Sequence, residues 1–245
     1  MKRLSLSCLL FSGAAFFFAS CRNGNEKKAS ETTGVTDTVT ATTHAPTVNT
    51  IVTAPENMVI VIHKVANYAK WKSGYDMDDS ARLASGLHSY VIGRGLRDSS
   101  MVLIAMKADD MPKAKAFAAS ANLKKVMQKA GVIGKPDIHF FIATWQDTSN
   151  VGSLPRSLNT FTVKEWDTWQ KSFEAGKQER IDNGILARVI GHDADDNKKV
   201  NVVTALEDTT KAFAYYKSDA LKKRMASAGV VGEPKRFVFR IAERY

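Results

Sequence analysis

The chain has 245 residues, 44% of them apolar and 24% charged, a balance that excludes a disordered polymer and leaves room for one or two ordinary domains. Its formal charge of +10 raises the question of an anionic partner, but the Lys and Arg residues are spread along helices and turns, the pattern of a solvated basic surface.

Lys2 and Arg3 precede a nearly unbroken apolar stretch, Leu4 to Phe18, then the small residues Ala19 and Ser20, then Cys21. A basic start, a short apolar middle and small residues before a cut make residues 1–20 a signal peptide, and a stretch of about fifteen is too short for a permanent bilayer span. Phe18-Ala19-Ser20-Cys21 resembles the bacterial lipobox, with Phe18 in place of the usual aliphatic residue. That resemblance implies lipidation of Cys21, which becomes the new N-terminus; the alternative is an ordinary cleaved signal beside an incidental cysteine. The expected location is exported and lipid-anchored to the bacterial cell envelope, with the membrane as partner through the N-terminal lipid. Arg22 carries no inner-membrane retention signal, which favours the outer membrane. Removing Lys2 and Arg3 from 35 basic residues leaves 33 against 25 acidic ones, and an exported chain of that charge is not expected to meet nucleic acid. Cys8 is the other cysteine and leaves with the leader, so papain-like, thioredoxin-like and zinc-ribbon chemistry is excluded.

Residues 21–57 are polar, with ten Thr between Thr32 and Thr53 and no period of 2 or 3.6, and read as a disordered tether. A flexible coil of ~35 residues spans ~30 to 35 Å. The rest of the chain matches itself at an offset of 98. Leu123 to Pro136 falls on Leu221 to Pro234 with nine of fourteen positions identical, and Val91-Ile92-Gly93, Trp71 and Gly86 fall on Val189-Ile190-Gly191, Trp169 and Gly184. One unit is expected at 58–147 and a second at 156–245.

Each unit reads β-α-β-β-α-β. Met58 to Val65 is a continuous apolar strand. Asn67 is placed to cap a helix bearing Tyr68, Trp71 and Tyr75, which Gly86 ends. Leu87 to Arg94 and Met101 to Lys107 are strands joined by a polar turn. A helical segment follows Asp110 and restarts near Ser120, with Leu123, Val126, Met127 and Ala130 on one face and Gly131 as its stop. Asp137 to Trp145 is the last strand. This order predicts an α+β fold of two ferredoxin-like βαββαβ units, each an antiparallel sheet with helices on one side. Val59, Val61 and Val65 alternate with Ile60 and Ile62, so both sheet faces are apolar, and the face without helices needs cover that the other unit can supply.

With His63-Lys64-Val65, Tyr68, Trp71-Lys72, Tyr75-Asp76 and the Leu123 to Pro136 run, the chain resembles the dimeric α/β-barrel superfamily, to which the antibiotic-biosynthesis monooxygenase-like proteins belong. The resemblance implies that the two units pack sheet to sheet as an intramolecular dimeric α/β barrel. It does not choose an activity, because that superfamily holds oxygenases, haem degraders and peroxidase-like proteins. Its haem degraders use an Asn, a Trp on the third strand and a His on the second helix. Met101 to Lys107 has no Trp and Met111 to Ala130 no His, so that activity is not expected. Cofactor-free oxygenases of the superfamily rely on a shaped apolar cavity, which leaves no short motif.

His63 and His139 are the leading ligand-binding candidates, because the first and fourth strands of a ferredoxin-like sheet are neighbours and could set the two rings side by side. Their counterparts at the offset of 98 are Phe161 and Phe237, which a packing position would also show, and both readings stand. Tyr90 and Arg94, with His192 at the position equivalent to Arg94, lie on or near the second strand of each unit and are further candidates; Arg188 replaces Tyr90 in the second unit. Gly93 to Asp98 lacks the third glycine of a dinucleotide loop. Asp193 to Asn197 is followed by Lys198 where a calcium loop needs glycine. No motif asks for a cofactor or a metal. The expected role is to bind a small apolar ligand in a barrel or sheet-helix cavity; the alternative is a cofactor-independent monooxygenase of the antibiotic-biosynthesis type. An oxygenase needs a pocket of a few hundred Å³ with a polar group projecting into it.

Overall fold

The computed structural model describes residues 49–245. The expected signal peptide, Cys21 and the tether as far as residue 48 lie outside the described residues. The elements follow as β1 (Ile51–Val52), β2 (Glu56–Val65), α1 (Tyr68–Met77), α2 (Asp79–Ala84), β3 (Leu87–Gly95), β4 (Met101–Ala108), α3 (Met111–Ala119), α4 (Ala121–Ala130) and β5 (Val132–Asp147). The second unit repeats the order with β6 (Arg156–Val163), α5 (Trp166–Ala175), α6 (Lys177–Asp182), β7 (Ile185–Asp193), β8 (Lys199–Leu206), α7 (Thr209–Lys217), α8 (Asp219–Ser227) and β9 (Val230–Arg244).

Local chemistry sets the boundaries. The Asn67 side chain accepts the Lys70 N–H at 2.9 Å and Ser120 accepts that of Leu123 at 3.1 Å, so both N-caps act as their sequences suggest. Gly131 ends α4 with φ +85°, a value a β-carbon would oppose. Three boundaries differ from the expected ones. The first helix breaks at Asp78 into α1 and α2. Ile51 and Val52, inside the segment read as tether, pair with Asp147 and Gln146. And β5 runs through the Gly134-Lys135-Pro136 stretch: the register with β2 shifts between Ile62 and Lys64, and Gly134 at φ +74° takes up the extra backbone.

All neighbouring strands are antiparallel, in the order β1-β5-β2-β4-β3-β9-β6-β8-β7, and β7 pairs back onto β5. The two sheets therefore do more than stack: they join edge to edge through β3–β9 and β5–β7 into one closed barrel, which leaves no strand edge open between them. The joints are equivalent. Val91 pairs with Arg244 and Gly95 with Phe239, while Val189 pairs with Gln146 and Asp193 with Phe141, the same register displaced by 98. Four antiparallel steps separate β2 from β6, so these strands run in the same direction. The pseudo-twofold axis thus lies along the barrel, and equivalent residues open at the same end.

Strand alternation divides each sheet between two cores. In β2, Val59, Val61 and Val65 face the helices, where they meet Trp71, Tyr75, Leu87 and Ile104; Met58, Ile60 and Ile62 face the barrel, with Leu103, Phe141, Leu158 and Phe239. In the second unit the helix-side core gathers around Trp169, Ile190 and Val202, with Ile185, Leu206 and Tyr215 beside it. Trp71 and Trp169 are both 3% exposed. Burying about 200 Å² each, they contribute about 5 kcal/mol apiece of gross apolar stabilisation at ~25 cal/mol per Å².

Candidate functional site

The barrel is not filled. A cavity of about 350 Å³ occupies one end, with a wall of Met58, Ile60, Leu103, Phe141, Val203 and Phe239. By contrast, the spaces between sheet and helices are about 70 Å³ in the first unit and about 100 Å³ in the second. Those hold a few water molecules at most, at about 30 Å³ each. Of the two places expected to take a ligand, only the barrel has room.

The rim of this cavity is built from the starts of β2, β3, β6 and β7 and the ends of β5 and β9, with the linker from Thr148 to Asn150 beside it. Bulges turn two of its side chains inward. The β3–β4 register slips between Ser89 and Val91, so that Tyr90 and Val91 both join the barrel cluster. The β7–β8 register slips between Ala187 and Val189, and Arg188 reaches the cavity in the same way.

The two halves of the rim differ. At equivalent positions the first unit supplies Met58, Tyr90 and Gln146 where the second supplies Arg156, Arg188 and Arg244. On the first side, Gln146 Nε2 donates to Glu56 Oε2 at 2.8 Å, and Lys107 pairs with Glu56 at 2.6 Å. On the second side, Arg188 Nη1 donates to Asp147 Oδ2 at 2.8 Å and to Ser149 Oγ at 2.9 Å, which straps the linker to the rim. Burial opposes ionisation of Asp147, but hydrogen bonds from Ser149 and the charge of Arg188 outweigh it and hold the carboxyl below its ordinary pKa. Arg156 is 4% exposed and donates to the Leu154 carbonyl; among the described residues no carboxylate pairs with it. Burial, reinforced by the charges of Arg188 and Arg244, pulls its pKa down to about 10.

The candidates read from the sequence are dispersed. Tyr90 lines the cavity. His63 and His139 do not form a pair: His139 is opposite Ile60 in the β2–β5 register and shares the barrel side of its strand with Phe141, whereas His63 faces the helices. His63 is 4% exposed, sits edge-on to Trp71 with ring centroids 5.6 Å apart, and has no hydrogen-bond partner at either ring nitrogen among the described residues. Burial lowers its pKa to about 4, so the ring is neutral at pH 7. Phe161 meets Trp169 in the same way at 5.5 Å, so His63 occupies a packing position. Arg94 stacks on Tyr68 at 4.3 Å, and His192 meets Trp166 edge-on at 4.9 Å; these are equivalent strand-to-helix contacts outside the barrel. Arg156 and Arg244 were not singled out from the sequence, although both replace neutral residues of the first unit at the offset of 98.

No protein-family model matches the chain. No curated protein matches it either. Solved structures do share its fold. An anthrone oxidase-like protein is 13% identical with a TM-score of 0.54, over 80% of this chain and 95% of its own. A candidate monooxygenase from Fusobacterium nucleatum subsp. nucleatum is 11% identical with a TM-score of 0.51, over 77% and 93%. A candidate chlorite dismutase is 12% identical with a TM-score of 0.51, over 76% and 95%. The three carry different activities in their names, and at such identities the likeness is one of fold alone.

Proposed function

We propose that the chain is a lipid-anchored protein of the bacterial cell envelope whose barrel interior binds a small apolar molecule. The observation that carries the binding role is the cavity of about 350 Å³ walled by apolar side chains inside a closed barrel. It falls in the lower part of the ~300 to 1,000 Å³ range of small-molecule sites, whose walls are mostly apolar with a few polar groups at fixed places. The anchor rests on Phe18-Ala19-Ser20-Cys21 after a leader-like stretch. Among the described residues no helix is long and apolar enough to cross a membrane, so on this reading the lipid holds the protein at the surface.

The binding role is tested with N-phenyl-1-naphthylamine, a neutral fluorescent probe, on the purified unlipidated protein. At a probe concentration a hundred times Kd, binding adds about 2.7 kcal/mol, and the melting temperature of a domain this size rises by about 5 to 10 °C. Ala105 is buried on the cavity wall, so Ala105→Trp fills the space and should abolish both the fluorescence and the rise while leaving the unliganded melting temperature within a few degrees. A probe that binds the filled variant as well as the parent would end the cavity reading. For the anchor, Cys21→Ala is expected to move the protein from the membrane fraction to the soluble fraction of the expressing bacterium and to stop its labelling by radioactive palmitate. Unchanged partitioning would remove the lipid from the account.

A second reading, a cofactor-independent monooxygenase, is favoured by the likeness in fold to the anthrone oxidase-like protein and by Tyr90, whose side chain lines a cavity of the size such chemistry needs. Oxygen uptake with an anthrone, dependent on the protein and lost in Tyr90→Phe, would decide for it.

A further inference from the structure

The apolar wall accounts for the body of a ligand and leaves the rim unexplained. On the side contributed by the second unit, three guanidinium groups converge, and Asp147 is the one carboxylate that pairs with any of them among the described residues. Glu56, the nearby acid on the other side, is already engaged by Lys107 and Gln146. Arg188 is committed to Asp147 and the Ser149 linker. That leaves Arg156, 96% withdrawn from solvent and bordering the cavity with only a backbone carbonyl to hold, and Arg244 at the exposed lip. A buried guanidinium without an acid is costly to a fold, and its planar fork of donors matches a carboxylate. Three concerted replacements, Met58, Tyr90 and Gln146 by Arg156, Arg188 and Arg244, all fall at the open end of the cavity, so the excess charge lies where a ligand's head would emerge.

Building on the proposal that the barrel binds an apolar molecule, we infer that this molecule is an amphipathic monoanion, its apolar body in the barrel and a carboxylate-sized head against Arg156 and Arg244. Arg156 supplies a planar fork of donors in low-dielectric surroundings, where a charge-assisted hydrogen bond is strongest. Arg244 adds attraction at the lip, and that part falls as salt is raised. The neutral half of the rim, Met58 and Tyr90, leaves space for the start of the apolar body.

The test compares two probes with the same aromatic skeleton, the neutral N-phenyl-1-naphthylamine and its sulfonate, 8-anilinonaphthalene-1-sulfonate. The native protein should bind the sulfonate at least tenfold more tightly, and dodecanoate should displace it where 1-dodecanol does so far less well. Arg156→Met, which installs the first unit's own residue, should bring the two affinities within about threefold of each other by weakening that of the sulfonate. Should that variant fail to fold, Arg244→Gln, a change at the exposed lip, should still lower the preference by about threefold at low salt. Equal affinities in the native protein would overturn the anionic head while leaving the apolar cavity in place. Failure of both probes would instead refute the cavity itself. A preference untouched by both substitutions would show that the charge is read elsewhere and would also overturn the inference.

Discussion

His63→Phe is expected to make the protein more stable, by about 1 kcal/mol at pH 8, the low end of the cost of a buried polar group without partners, and by about 3 kcal/mol more near pH 4. The first part comes from removing two ring nitrogens that have no hydrogen-bond partner among the described residues. The second follows from linkage. Burial lowers the folded-state pKa of His63 from 6.5 to about 4. Above pH 6.5 the ring is neutral in both states and contributes no pH dependence. As pH falls from about 6.5 to about 4, the unfolded chain takes up a proton that the folded one refuses, so stability is lost over that window, at about 1.4 kcal/mol per pH unit. Phenylalanine cannot titrate, and Phe161 already fills the equivalent position against Trp169. Urea unfolding of the two proteins between pH 4 and 8 measures the difference. Parallel acid limbs in parent and variant would mean that the buried ring is not what titrates.

Gly191→Ala should cost about 3 kcal/mol, the upper end of what overpacking does in a closed core, lowering the melting temperature by about 6 to 12 °C. A β-carbon there would overlap the Ile142 carbonyl oxygen and stand 2.9 Å from Cα of Ala143, both main-chain atoms of the strand it joins. Neither can swing aside, so the β5–β7 seam must part. Gly93 is the equivalent residue at the β3–β9 seam, but its added β-carbon meets the Phe239 ring, a side chain beside the cavity that has somewhere to go. Gly93→Ala should therefore cost less and weaken binding of a barrel ligand more. Thermal melts of the two variants decide it; equal losses would mean that the seams are not under the unequal constraint described.

Most of the scaffold could be read from side-chain pattern. Asn67 and Ser120 announce their caps, and the alternation of Val59, Val61 and Val65 with Ile60 and Ile62 announces a strand buried on both faces, which the barrel then explains. What escaped depends on register. Partners in a ladder share a face; Ile60 is opposite His139, so His63, three residues along, must point the other way. No composition or spacing shows that offset. The strand through Pro136 was hidden for a related reason: a glycine two residues before a proline reads as a stop until a bulge is known to absorb both. The inward turn of Arg188 was hidden by a further slip of register, since regular alternation would turn Arg188 and Val189 to opposite faces, whereas the bulge brings both to the barrel.

Because both halves of the barrel belong to one polypeptide, its two sides are free to evolve apart. In a ring made from two identical subunits, a substitution at a position beside the axis arrives twice, and an arginine placed there would stand across from its own image. Here Met58 faces the fate of Arg156 without sharing it. One flank can stay oily while the other gathers charge, giving the mouth a polarity, and any guest a preferred orientation, that mirror-equal partners could not impose.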